Sequence, residues 1–275
     1  MIYAIENAFL SVSVEDMGAQ LKSIFDKSTK TELLWQGDAD FWKGRAYNLF
    51  PIVGRLYERK YSYRGKIYEM DRHGFARGKK FCLCDKTLDS MTFAICSDDE
   101  TLKSYPFEFI FKVSFSLCGN KLRVSYRVEN VGKGDMYFGL GAHPGFNVPF
   151  NGGNFEDYEI RFNAPCSPQK ELFGETYLMT DKREPFKLDE NNSFSLKHSI
   201  FPSLDGRFAH GSIHKNGASV LGVCQNPTNG IDGKSTVIPF SSPFFFSVTL
   251  LAVSLSTTAS LSKSECLSEN ELFSS

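Results

Sequence analysis

From residue 79 to residue 127 the chain offers strand after strand, and nowhere does it offer a helix of convincing length. Residues 80–84, 91–96, 107–117 and 121–129 alternate or run apolar, with Phe, Val and Ile prominent and polar turns between them. Cys118-Gly119-Asn120 suits a hairpin turn joining the last two. The polar run 98–102 reads as a solvated connection rather than a metal site. The same pattern opens the chain, with strands predicted at 2–5 and 9–14 about a Glu6-Asn7 turn and a third at 18–24. Arg64-Gly65-Lys66 predicts another hairpin, whose arms carry Tyr61, Tyr63, Ile67 and Tyr68. The 26 Phe and 11 Tyr suit broad sheet faces better than helical stripes. A single all-β domain spanning residues 1–275 accommodates this length.

Charge narrows the partners. Lys plus Arg total 31 and Asp plus Glu 32, so no basic field attracts nucleic acid or a membrane surface. The apolar run 244–253 is too short to span a bilayer, and the first residues lack the basic start and apolar core of a signal peptide. Seven scattered cysteines form no zinc pattern. They read as buried free thiols of a reducing compartment, with Cys82 and Cys84 on one strand face. A cytoplasmic protein is expected. P-loop, GxGxxG, HExxH and GxSxG signatures are all absent, which removes the usual supports for nucleotide, zinc-protease and serine-hydrolase readings.

Two stretches carry candidate chemistry. In residues 137–150, YFGLGAHPGFNVPF, an apolar run predicts a buried strand that breaks at Gly141. His143 then sits on a stiff turn, pushed towards extended backbone by Pro144, with Phe146 beside it as a substrate contact. An imidazole titrates near neutrality and suits proton transfer. The alternative is a structural histidine whose ring bonds turn backbone. The second stretch begins at NLFPIVGRLY, residues 48–57. There Arg55 follows a glycine in an apolar run, where a charge is either ion-paired or facing a cleft. His73 precedes Gly74 in the same style as the first histidine. Trp35 and Trp42 lie close together and read as packing residues rather than ligand platforms.

NLFPIVGRL, YRGKIYEMDRHGFAR and GLGAHPGFNVPF, in that order, resemble the aldose 1-epimerase (galactose mutarotase-like) family, in particular its LacX-type branch. The opening GAQLKSIFDKSTKTELLWQGDADFW and the later LKHSIFPSLDGRFAHG resemble that branch as well, so the likeness runs from about residue 2 to about residue 223. The resemblance implies a β-supersandwich of mostly antiparallel strands with a sugar cleft on a concave face. It implies interconversion of the α- and β-anomers of free hexoses without metal or cofactor. A small hexose is the expected partner, and a monomer or homodimer is the expected state. By the same resemblance, His143 is the general acid that protonates the ring oxygen, and His73 assists binding and polarises that oxygen. Arg55 and Asp205 hold sugar hydroxyls. Ring opening delivers one proton to O5 while another leaves the anomeric hydroxyl, so titratable groups must flank the C1–O5 bond.

The family's general base, a glutamate in an IEPW-like stretch near the C-terminus, has no counterpart here. Cys224-Gln225-Asn226-Pro227 stands where a tryptophan and lysine are expected. From Ser241 onward eleven of thirty-five residues are serine, with no Gly, Asp, Arg, Tyr or Trp. We read the change as a shifted reading frame at the 3′ end of the gene, which resequencing tests. Glu265, Glu269 and Glu271, the carboxylates after Ser241, read as solvated tail residues rather than a base. Three functions fit these residues. They are a hexose 1-epimerase, a catalytically silent sugar-binding protein of the same fold, and a hexose-6-phosphate 1-epimerase. The third requires cations converging on the cleft, for which Arg45, Arg55 and Arg77 are candidates.

Overall fold

A computed structural model of the chain describes residues 1–149, 153–162, 166–174, 178–197, 213–214 and 236–239. Period-2 burial builds its two principal sheets. Strands β1 (Ile2–Glu6), β2 (Leu10–Glu15), β3 (Gln20–Asp26) and β4 (Thr31–Glu32) form one, in sequence order. On β2, Leu10, Val12 and Val14 are buried while the residues between them are half-buried, as a one-faced strand requires. Asn7 makes the turn before it, its Oδ1 accepting from the Phe9 and Leu10 amides at 2.8 Å each. After β4 come β5 (Ala46–Leu49) and the hairpin of β6 (Lys60–Tyr63) and β7 (Lys66–Glu69). Arg64 and Gly65 take φ of 48° and 75° at the hairpin tip, the two left-handed residues of a type I′ turn.

The second large sheet has the order β11-β10-β9-β8, with Thr236–Pro239 antiparallel along the outer side of β11. Its strands are β8 (Cys82–Lys86), β9 (Ser90–Cys96), β10 (Phe109–Cys118) and β11 (Lys121–Asn130). Every odd residue of β10 from Phe109 to Leu117 is buried, and these side chains share one core with β2 and β9. Tyr3 of β1 meets Phe93 of β9 edge-on at 5.5 Å, so the two sheets pack face to face. Each Phe fully buried this way contributes about 1.5–3 kcal/mol of transfer free energy. A separate cluster of Ile160, Phe162, Phe194 and Leu196 forms around the paired strands Glu159–Arg161 and Ser193–Ser195. Every pairing between these strands is antiparallel, and the all-β sandwich expected from the sequence is the observed architecture. Among the described residues, no helix is long and apolar enough to cross a membrane.

Four local expectations are corrected. The polar run after β9 is a six-residue helix, α1 (Asp99–Ser104), nucleated by a reciprocal cap. Asp98 accepts from the Thr101 amide at 2.6 Å, and the Thr101 hydroxyl accepts from the Asp98 amide at 2.8 Å. The apolar run ahead of His143 is not a strand. Tyr137 is 56% exposed, and its carbonyl accepts the Tyr105 hydroxyl at 2.9 Å. The third strand starts two residues later than predicted, because Gly18 and Ala19 turn left-handed at φ 71° and 45°. Finally, the five described thiols are not buried. Cys84 and Cys118 are exposed, Cys82, Cys96 and Cys166 half-exposed, and a register shift between Leu83 and Asp85 breaks the shared face of Cys82 and Cys84.

Candidate active site

The site begins with a buried asparagine. Asn48 of β5 donates from Nδ2 to the carbonyls of Gly18 and Ala19 at 2.9 and 2.8 Å, while its Oδ1 accepts the Tyr126 hydroxyl at 2.9 Å. Burial drives the Tyr126 phenol well above its ordinary pKa, which keeps that hydroxyl a donor. All three polar atoms are satisfied, so β5 is fixed against both the first sheet and β11. The short strand β12 (Gly141–Pro144) pairs with it antiparallel, setting Ala142 opposite Asn48 and His143 opposite Tyr47. His143 therefore lies within a strand rather than on a turn. Pro144 is tolerated because this is a two-stranded ribbon, and pairing resumes beyond it where the Gly145 amide donates to the Arg45 carbonyl at 2.7 Å.

The segment after His143 is tied down on its other side. Asn147 donates from Nδ2 to the carbonyls of Glu32 and Leu34 at 2.9 and 3.0 Å, and the Trp35 amide donates to the Gly145 carbonyl at 2.9 Å. Phe146 bridges Leu34 and is only 4% exposed within the main core. It anchors the segment and is not a surface for substrate, which corrects the expectation from sequence. Trp42 takes the place beside the imidazole, its ring 4.9 Å from that of His143 and 5.7 Å from Tyr47. Gly44 and Gly145 make room for it, since a Cβ on either would come within 2.4 Å and 3.1 Å of the indole.

His73 reaches the same place from a strained backbone, at φ 68°. The His73 amide donates to the Gly54 carbonyl at 2.8 Å, and the Gly54 amide donates back to His73 Nδ1 at 3.0 Å. Nδ1 is thereby an acceptor, so the neutral ring carries its proton on Nε2. The two imidazole centroids lie 6.1 Å apart. Burial, then the charges of His143, Arg72, Arg77 and Arg55, pull the pKa of His73 down from 6.5 to about 4. At neutral pH His73 is uncharged.

This shift has a consequence for stability. Between pH 6.5 and about 4 the unfolded chain binds the proton that folded His73 refuses, so stability is full above pH 6.5 and falls as pH drops towards 4. His73→Asn tolerates the left-handed backbone and offers Oδ1 to the Gly54 amide. The melting temperature of this variant is expected to fall less than that of the wild type between pH 7 and pH 4.5. Parallel pH profiles for the two proteins would sink this assignment.

Arg55 is exposed next to Gly54 and acts electrostatically on His73, which puts it at the same site. Arg77 is there too, its guanidinium 5.6 Å from the Tyr47 ring. Arg45 is engaged elsewhere, donating to the Lys22 carbonyl at 2.6 Å and Gln36 Oε1 at 2.8 Å. Asp205, Glu265, Glu269 and Glu271 lie outside the described residues. Sequence reasoning missed Arg72 and read Trp42 chiefly as packing. Trp42 had one signal, the proximity of the chain's two tryptophans. Among the described residues, no group of three or more His, Cys, Asp or Glu side chains is placed to hold a metal ion.

Comparison with known proteins identifies the family to which this fold belongs. The protein LacX of Lactococcus lactis subsp. lactis is 36% identical over 211 residues, covering 73% of this chain and 70% of that protein. A galactose mutarotase related enzyme from Lactobacillus acidophilus superposes with a TM-score of 0.68 at 34% identity, over 73% of this chain and 67% of that one. A galactose mutarotase-like protein from Lactobacillus casei ATCC 334 gives a TM-score of 0.68 at 32% identity, over 73% and 69%. The sandwich is thus of the galactose mutarotase-like type. The aldose 1-epimerase family model matches residues 1–210. With Asn48, Arg55, His73 and His143 all inside the matched region, the chain belongs to the aldose 1-epimerase family.

Proposed function

We propose that the protein is an aldose 1-epimerase that opens and recloses the ring of a hexose, exchanging its α- and β-anomers. The observation that carries the reading is the pair of imidazoles 6.1 Å apart, one of them with its tautomer fixed. His73, held neutral, presents Nε2–H as a hydrogen-bond donor to the ring oxygen O5. A neutral imidazole does not give up that proton near pH 7, so the transferable proton falls to His143, the family's general acid. As His143 protonates O5, the C1–O5 bond breaks and the anomeric hydroxyl loses its proton to a base. Rotation about C1–C2 then exposes the other carbonyl face, and the steps reverse. Arg55 holds sugar hydroxyls through its guanidinium fork, with Asp205 assigned the same task. Trp42 offers an apolar face to the pyranose. The sugar is the partner we assign, with the reaction needing only proton transfers.

A binding-only protein is the second reading. It is favoured by one observation: among the described residues, the charged groups that act on His73, after burial itself, are imidazole and guanidinium, with no carboxylate among them. Polarimetry separates the two. Freshly dissolved α-galactose and α-glucose are expected to lose optical rotation faster in proportion to added protein. A folded protein that leaves both decays unchanged would overturn the enzyme reading, and titration with the same sugars would then test binding alone.

A further inference from the structure

For an imidazole, holding a transferable proton means holding a charge, and His143 has neighbours that oppose one. His73 lies 6.1 Å away, with Arg55 and Arg72 acting from the same loop pair. From β5, Tyr47 pairs with His143 and carries Arg77 over its ring at 5.6 Å, while Arg45 is turned to Lys22 and Gln36. Asp38, Asp40 and Lys43, on the loop that carries Trp42, are exposed. Trp42 itself is the neighbour whose chemistry favours a cation. Residues two apart on an extended chain project to one face, so a side chain at position 145 would stand beside His143. Gly145 has none, and the indole fills the place: a Cβ on Gly145 would come within 3.1 Å of its Cζ3, and one on Gly44 within 2.4 Å of its Cζ2. The ring lies 4.9 Å from the imidazole, tilted by 44°, inside the distance of about 6 Å at which an aromatic ring attracts a cation. Backbone contacts hold it there. The Trp42 amide donates to the Asp38 carbonyl at 2.8 Å, and the Trp42 carbonyl accepts the Trp35 indole N–H at 2.8 Å.

We propose that Trp42 is a positioning residue for His143, its indole holding the imidazole in the protonated form that delivers the proton. The catalytic meaning rests on the proposed epimerase reading, whereas the effect on His143 stands on the ring geometry. This role is separate from the apolar face that Trp42 offers a pyranose. Stacking serves the bound sugar at every pH, but support of a cation matters only where His143 would otherwise lose its proton. The two histidines are thereby driven apart. His73, half-buried and accepting from the Gly54 amide, is kept neutral, and the charge of His143 is, after burial, the next cause of that. The first proton taken up by the pair therefore rests on His143. Delivering it to O5 leaves a neutral imidazole, which takes the proton back when the ring recloses.

The imidazole C–H resonances of the full chain, followed by NMR from about pH 4 to about pH 9, read this titration directly and need no sugar. The His143 resonance is identified as the one missing from His143→Gln. In Trp42→Leu its midpoint is expected to fall by about 0.5–1.5 pH units, the range that cation–π contacts span, and in Trp42→Phe by roughly half as much. A midpoint that stays or rises in folded Trp42→Leu overturns the proposal. Trp42→Phe keeps the aromatic packing and serves if the leucine variant does not fold, and an unmoved midpoint there overturns the proposal equally. Turnover gives the second readout. The loss of kcat/KM for anomer exchange in Trp42→Leu is expected to deepen by about 3–30-fold as pH rises through the titration of His143, because the acid runs short of protons. Loss by one factor at every pH is what stacking or packing alone would give, and it overturns the positioning role. If the wild type turns over no sugar, the epimerase reading fails by itself. The NMR midpoint then still decides whether the indole holds the charge on His143.

Discussion

Replacing His143 by alanine is expected to lower kcat for anomer exchange by about 10²–10⁴-fold, the usual contribution of a positioned general acid. KM is expected to change little, because sugar hydroxyls are assigned to Arg55 and the ring stack to Trp42. Alanine also removes a ring packed 4.9 Å from Trp42, so the glutamine variant is the sharper probe. Glutamine approximates the length and hydrogen bonding of the imidazole but cannot transfer a proton near neutral pH. If His143 acts as the acid, both variants fall together. A glutamine variant that keeps more than about a tenth of wild-type kcat would make His143 a positioning residue, and the proton donor would have to be sought elsewhere. Measuring kcat and KM separately by polarimetry, with melting temperature as the folding control, distinguishes these outcomes.

What the sequence revealed of this site follows a physical division. Strands announce themselves through alternation along a few residues, which is why β2, β9, β10 and β11 lie where the pattern puts them. The same local logic identified the Arg64-Gly65 turn. Burial without hydrogen bonding gives the same apolar signal, and so the run ahead of Gly141 read as a strand although its polar backbone pairs elsewhere. Helix α1 is too short for any periodicity, and only its Asp98 and Thr101 cap was there to be read. Phe146 was assigned to substrate because it is close to His143 in sequence. Three residues along an extended chain reverse the side-chain direction, and that parity sends the ring into the core. Trp42 and Arg72 belong to the site only because β5 pairs with β12 and the Gly54 loop closes on His73. Those contacts join residues far apart in the chain, and no local pattern encodes them.

Gly74→Ala tests whether that long-range closure holds the site together. Gly74 is buried at φ 70°, and a Cβ there would stand 2.2 Å from the Phe50 carbonyl oxygen and 2.7 Å from the Pro51 nitrogen. Both are backbone atoms, so no side chain can swing away to relieve the overlap. The Phe50 carbonyl cannot retreat freely either, since it accepts the amides of Phe75 and Ala76 at 3.0 and 3.1 Å. The Phe50 ring is itself fully buried, stacked on Phe111 at 4.8 Å. Alanine in the left-handed region costs about 1–2 kcal/mol, and a buried amide left without its partner costs about 1–3 kcal/mol more. The expected loss is therefore about 2–5 kcal/mol, read by denaturant titration. Gly65→Ala supplies the comparison, because its φ of 75° carries the same conformational cost while a Cβ there meets nothing within 4 Å. The closure argument requires Gly74→Ala to be the more damaging of the two. It also requires anomer exchange to fall in whatever fraction remains folded, since any shift of Gly74 moves His73 relative to His143. Equal losses of stability in the two variants would mean that the chain relaxes around Gly74 and that the site is held by other contacts.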